Sequence, residues 1–103
     1  MLTAPHFTAL LTFLPDKEGE QQTPASSGYR AGIQFSLTQP RVIGIFNFPD
    51  SELVFPGDTV TAEITLLQLE AVGESIYQGL DFDFVNAETL VGTGVISKLL
   101  KVN

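Results

Sequence analysis

The stretch TVTAEITLLQL, residues 59–69, decides the fold class because its side chains alternate between apolar and polar with a period of two. The apolar positions are Val60, Ala62, Ile64 and Leu66, and the polar positions between them are Thr61, Glu63 and Thr65. A period of two is typical of a β-strand that buries one face, whereas an amphipathic helix repeats every 3.6 residues. This stretch therefore predicts a half-buried strand.

The same alternation recurs on both sides of this stretch. The predicted strands are FTALLTF (7–13), YRAGIQFSLT (29–38), RVIGIFNF (41–48), TVTAEITLLQL (59–69), GLDFDF (79–84) and LVGTGVISKLL (90–100). Turn residues separate them, most clearly Phe55-Pro56-Gly57-Asp58, in which Pro restricts φ and Gly permits a positive φ. Six short strands without a long helical pattern predict a small antiparallel barrel or sandwich, built as one domain over residues 1–103.

The composition agrees with a folded domain and excludes several kinds of site. The chain has 103 residues, 44% of them hydrophobic and 17% charged, which is enough apolar material for one core. It contains no cysteine, which excludes disulfides, thiolate nucleophiles and Cys-ligated zinc or iron–sulfur centres. The first 15 residues lack the basic start of a signal peptide, so a cytoplasmic location is our expectation.

The net charge of −7 is concentrated in one part of the chain. Residues 42–97 contain nine Asp and Glu but no Lys or Arg, while the first 41 residues are balanced. Because the acids are dispersed among strand residues, they predict an acidic surface on a folded body instead of an acidic tail. Such a surface disfavours binding to a phosphate backbone.

Several short motifs, in order and at similar spacing, make the chain resemble the C-terminal β-barrel, the third domain, of elongation factor Tu. The resemblance runs from Pro5-His6 to Leu99 and so covers nearly the whole chain. The motifs that carry it are Thr23-Pro24, Gly28-Tyr29-Arg30, Pro56-Gly57-Asp58, Gly79-Leu80 and Val91-Gly92-Thr93-Gly94-Val95-Ile96 followed by Lys98. The resemblance implies a six-stranded antiparallel Greek-key β-barrel without catalytic residues. The initial Met at the natural start of this barrel suggests a free-standing, single-domain relative.

In that family the barrel contacts aminoacyl-tRNA through a basic and polar surface, and it packs against a GTPase domain. The positions that match this surface have largely lost their positive or polar character. They are Gln21 and Gln22 in place of Arg-His, Gly32 in place of Gln, Ile43 and Ile45 in place of two threonines, and Asp81, Val85 and Thr89 in place of three arginines. Arg30 alone is retained among the cations that can be matched. Without those cations the counterion release that drives such binding is lost, so we expect little tRNA binding.

The same replacements suggest a contact with a protein. If Phe46 and Phe48 face inward, Ile43 and Ile45 face outward. Such β-branched residues are also ordinary sheet formers, which leaves a purely structural role open. In the alternative, they form a partner-contact patch together with Arg30, Ile76 and Tyr77. The last two lie in residues 73–78, a connection that is longer than its counterpart in the family.

Candidate catalytic and metal sites are weak. Asp81 and Asp83 share one face about 7 Å apart, but the sequence offers no third ligand at loop spacing. His6 is the only histidine, and no G-x-S-x-G motif accompanies it. The two glycines of VGTGV sit within a strand pattern and indicate close backbone approach instead of a nucleotide loop. We therefore expect no enzyme, no metal and no cofactor.

The sequence thus favours a non-catalytic interaction module with a protein partner. Two alternatives stay open. One is a residual role in translation, through RNA binding or docking in trans to a GTPase. The other is an immunity-type function, in which the acidic surface neutralises a basic toxin.

Overall fold

The computed structural model describes residues 5–15, 24–35, 40–68 and 76–100, and within these ranges every regular element is a β-strand. The strands are β1 (Phe7–Phe13), β2 (Tyr29–Gln34), β3 (Val42–Asn47), β4 (Thr59–Leu66), β5 (Asp81–Asn86) and β6 (Thr89–Leu99). Each corresponds to one predicted strand, although β5 begins and ends two residues later than predicted. Strands β2 and β4 end at Gln34 and Leu66, earlier than predicted, and the last residues of these two predictions, 36–38 and 69, lie outside the described residues.

The six strands close into a barrel in the order β1-β4-β3-β2-β5-β6, and every neighbouring pair is antiparallel. Strands β2, β3 and β4 are consecutive neighbours, and β1 joins the free side of β4, which is the Greek-key arrangement. The predicted all-β, six-stranded antiparallel Greek-key barrel is therefore confirmed. Closure, which a sandwich lacks, leaves no strand edge unpaired.

The turn before β4 has the predicted geometry. The Asp58 N–H donates to the Phe55 carbonyl at 3.0 Å, and the Asp58 carboxylate accepts from the Phe55 N–H at 2.9 Å. Gly57 has a φ of 89°, which a residue with a side chain adopts only at a cost. The sequence PGD therefore sets the entry into β4.

Phenylalanine rings fill the interior as two groups whose members meet edge to face or at a tilt. Near the start of β1, Phe7, Phe35 and Phe82 have ring centroids 5.5–6.2 Å apart. Near the end of β1, the Phe84 ring lies 5.1 Å from Phe13 and 5.3 Å from Phe46. Aromatic pairs at such angles gain roughly 1 kcal/mol beyond the burial of their area.

The glycines of β6 make room for these rings. Phe82 pairs with Gly94 and Phe84 with Gly92 across the β5–β6 ladder. A Cβ on Gly94 would collide with the Phe82 ring and would lie 2.8 Å from Cδ2 of Leu11. The interpretation of VGTGV as a site of close approach is therefore confirmed.

We expect Gly94→Ala to lower the free energy of unfolding by about 1–3 kcal/mol, because an overpacked ring must leave its preferred position. Urea denaturation followed by far-UV circular dichroism measures this change. Thr93→Ala, on the exposed face of the same strand, is the matched control and should change the stability little. Equal stability of Gly94→Ala and the native protein would contradict this packing.

Candidate protein-interaction surface

The exterior of β3 carries the two isoleucines that the alternation placed outside. Val42, Gly44 and Phe46 are buried, while Ile43 is 39% exposed and Ile45 is partly exposed. The predicted orientation of both isoleucines is therefore confirmed. This orientation does not by itself make Ile43 and Ile45 partner contacts.

Ile43 belongs to an apolar row on the outside of the barrel that crosses the neighbouring strands β5, β2 and β3 and ends at Leu67, the residue directly after β4. Gly32 of β2 lies opposite Ile43 on one side and opposite Val85 of β5 on the other. At the other end of the row, the Leu67 N–H donates to the Ile43 carbonyl at 2.9 Å, and the Leu67 side chain is 49% exposed. Three interstrand spacings make this row about 14 Å long.

Two arginines adjoin the row. The stem of Arg41 lies over Gly32, because a Cβ added to that glycine would be 2.7 Å from Arg41 Cδ and 3.3 Å from a methyl of Val85. Arg30 lies directly opposite Ile45 on the neighbouring strand. Within the described part of the chain, neither guanidinium forms an ion pair or a hydrogen bond. We call this surface the isoleucine face; it consists of Arg30, Arg41, Ile43, Ile45, Leu67 and Val85.

The isoleucine face differs in charge from the rest of the barrel. The structure describes three Lys or Arg residues, and two of them, Arg30 and Arg41, are on this face. The third, Lys98, is on β6, the strand that lies opposite β3 in the ring. Acidic residues border the face, with Glu63 opposite Asn47 on one side and Asp83 opposite Gln34 on the other. The face is thus a small cationic and apolar area in an acidic surface.

The structure does not bring Ile76 and Tyr77 onto this face. The residues that follow them extend the β5–β6 ladder, since the Gly79 N–H donates to the Ile96 carbonyl at 2.8 Å and the Leu80 carbonyl accepts from the Ile96 N–H at 2.9 Å. Ile76 packs partly against the core, while Tyr77 is 58% exposed. Residues 73–75 of the long connection lie outside the described residues.

Three members of the face, Arg41, Leu67 and Val85, were not singled out as partner contacts from the sequence, although parity gives a signal for each. Arg41 has the same parity as Ile43 and Ile45, and Val85 continues the outward parity of Asp81 and Asp83. Leu67 continues the outward parity of Thr61 and Glu63, but only its hydrogen bond to Ile43 places it at the end of the row.

Other exposed apolar side chains lie elsewhere on the barrel. Leu10 of β1 pairs with Val95 of β6, and this pair is flanked by Thr61 and Asp81. Val95 is 41% exposed, close to the value for Ile43, and it occupies the strand opposite β3. This β1–β6 pair is a matched reference surface without a neighbouring arginine.

The acidic pair of β5 is exposed as predicted, with Asp81 opposite Val95 and Asp83 opposite Thr93. No group of three or more His, Cys, Asp or Glu within the described ranges is arranged to hold a metal ion. The pair belongs to the solvent-facing side of the sheet.

A shallow, open cleft of about 580 Å³ lies between Ser26-Ser27 and residues 48–52. The Ser27 hydroxyl accepts from the Phe48 N–H at 2.9 Å. His6 is not among the residues that line this cleft, and its Nδ1 is bonded to the Leu66 N–H, so this nitrogen is not free to activate the serines.

His6 instead ties three strands together. Its N–H donates to the Ile64 carbonyl at 2.8 Å, and its carbonyl accepts from the Leu100 N–H at 2.9 Å. Its Nδ1 accepts from the Leu66 N–H at 2.9 Å, so the imidazole must be unprotonated at Nδ1. The side chain is only 8% exposed, and burial lowers the pKa of His6 below its ordinary value of about 6.5.

This geometry makes part of the stability pH-dependent. Because the pKa of His6 is lower in the folded state than in the unfolded chain, its contribution is complete above about pH 6.5 and declines as the pH falls towards the folded pKa. We expect His6→Ala to lower the free energy of unfolding by about 1–3 kcal/mol at pH 7.5, and by less at pH 5.5.

Chemical denaturation at several pH values measures this difference. His6→Asn is the control, because its Oδ1 can accept the same Leu66 N–H without titrating near neutral pH. His6→Asn should retain part of the free energy of unfolding that the bond to Leu66 contributes, and this contribution should not vary with pH. A difference between the native protein and His6→Ala that does not vary with pH would refute the assignment of Nδ1 as an acceptor.

No protein-family model matches this sequence. The resemblance to the third domain of elongation factor Tu therefore stays a prediction. Within the described residues, no helix is long and apolar enough to cross a membrane.

Proposed function

We propose that this barrel is a non-catalytic interaction module that binds a protein partner through the isoleucine face. The observation that carries the proposal is the combination of an exposed apolar row with two arginines on its border that have no partner among the described residues. Neither feature alone would support it, since single exposed isoleucines and solvated arginines are common on protein surfaces.

The composition of the face suits an interface. Interface centres are depleted in acidic residues and enriched in Arg, and the residues that contribute most to binding are surrounded by contacts that exclude water. The row from Leu67 to Val85 contains no charged side chain of its own, and the Arg41 stem covers the gap over Gly32. A partner placed here would remove apolar area from water and would not need to desolvate a carboxylate of the barrel.

RNA is a poorer fit to this face. Binding to phosphates gains affinity with each cation that displaces counterions, and the face offers only Arg30 and Arg41. Single-stranded RNA is also held by stacking on aromatic side chains, whereas the apolar members of this face are aliphatic. The translation-related role inferred from the resemblance would therefore need a surface other than this one, or a GTPase partner.

The proposal predicts that a charge in the middle of the row prevents binding. Ile43→Asp should weaken binding by about 2 kcal/mol, or roughly thirtyfold, because an unpaired carboxylate would be buried in the contact. Val95→Asp is the matched control, since Val95 has similar exposure on the opposite strand. Quantitative affinity capture from the native cells, with the two variants and the native barrel as baits, measures the effect.

Proteins that bind the native barrel and Val95→Asp but not Ile43→Asp would support the proposal. The opposite pattern, or equal capture by all three baits, would contradict it. Circular dichroism and thermal unfolding of each variant establish that the barrel stays folded. Capture that depends on Asp81 and Asp83 instead would favour the immunity-type alternative, in which acidic groups make the contact.

A further inference from the structure

The isoleucine face also indicates the chemistry of its partner. We infer, on the basis of the proposed function, that the partner is a protein segment with an apolar centre flanked by Asp or Glu side chains. Three observations support such a partner: the positions of the two arginines, their lack of partners among the described residues, and the shape of the apolar row.

The two cations are placed next to the row and not at a distance from it. Arg30 is opposite Ile45, and the Arg41 stem packs over Gly32 between Ile43 and Val85. The Arg41 stem crosses Gly32, which is two residues from Arg30 on the same strand, a separation of about 7 Å. Carboxylates spaced by two residues on a strand, or by one helical turn, have a similar separation.

Their electrostatic environment favours carboxylates over other groups. Because neither arginine has an ion-pair partner within the described ranges, docking a carboxylate breaks no ion pair among those residues. A guanidinium is weakly hydrated and binds a carboxylate through two parallel hydrogen bonds. A basic segment would instead bring its cations against the two guanidinium groups.

The net charge of −7 does not oppose this contact at short range. Charges separated by more than about 8 Å are largely screened at physiological ionic strength, so the nearest groups dominate once the partner has docked. The acidic residues that border the face, Glu63 and Asp83, would in turn reject a partner whose carboxylates lie outside the reach of the arginines. The surface would therefore select for the position of the acids as well as for their presence.

The test is a selection of random 12-residue peptides displayed against the full-length barrel. We expect the enriched peptides to carry Leu, Ile, Val or Phe with Asp or Glu on both sides. The strongest peptide, synthesised with a fluorophore, should bind the double variant Arg30→Glu, Arg41→Glu at least about tenfold more weakly than the native barrel. Val95→Asp should bind it normally, and a peptide with its acids replaced by Lys should recover binding to the double variant.

The same titrations separate this inference from the proposed function. Binding that is lost with Ile43→Asp but unchanged by the double arginine variant would overturn the acidic partner while the face stays the binding surface. Enrichment of basic peptides would also overturn the acidic partner while the face stays the binding surface. Binding that is insensitive to Ile43→Asp, or a selection that enriches no peptide dependent on this face, would overturn both. If a 30-nucleotide poly(U) RNA bound more tightly than the strongest peptide, and if this binding depended on Arg30, the partner would be a nucleic acid and not a protein segment.

Discussion

The narrow interior of a six-stranded barrel is the constraint on which the rest of this structure depends. Phenylalanine rings from β5 can point inward only because the paired positions on β6 are glycine, with Phe82 over Gly94 and Phe84 over Gly92. This pairing sets the register between the two strands that close the ring with β1 and β2. Once the register is set, the period of two determines for every strand which side chains lie inside and which lie outside.

The exterior is therefore a consequence of how the interior packs. Because Val42, Gly44 and Phe46 face the core, the alternation along β3 directs Ile43 and Ile45 outward. The Greek-key order then places β2 beside β3, which brings Arg30 next to Ile45 and Gly32 next to Ile43. Four of the six members of the isoleucine face, Arg30, Ile43, Ile45 and Val85, lie on strands, while Arg41 directly precedes β3 and Leu67 directly follows β4. Side chains on strands are positioned more precisely than side chains on loops, which suits an apolar contact with defined charge positions.

Most of the fold follows from local sequence, because alternation and turn chemistry act over a few residues. The six strands and the Pro56-Gly57-Asp58 turn were predictable for this reason. The candidate site was predictable only in part. Ile43, Ile45 and Arg41 share one parity on one strand, but the contact of the Arg41 stem with Gly32 and the neighbourhood of Leu67 depend on the pairing of strands distant in sequence. The grouping of Ile76 and Tyr77 with the isoleucines rested on their place in a connection that is longer than its counterpart in the resembled family, whereas the residues that follow them, Gly79 and Leu80, bond to Ile96 of β6.

Binding through the isoleucine face requires this face to be open to solvent in the whole chain. Methyl-labelled NMR with a neutral gadolinium chelate as a soluble relaxation probe measures this directly. We predict that the Ile43 methyl resonance broadens to about the same extent as that of Val95, since their exposures are similar, while those of Ile33, Ile64 and Ile96 do not broaden. Protection of Ile43 equal to that of Ile64 in dilute solution would show that the face is already covered and would contradict the account.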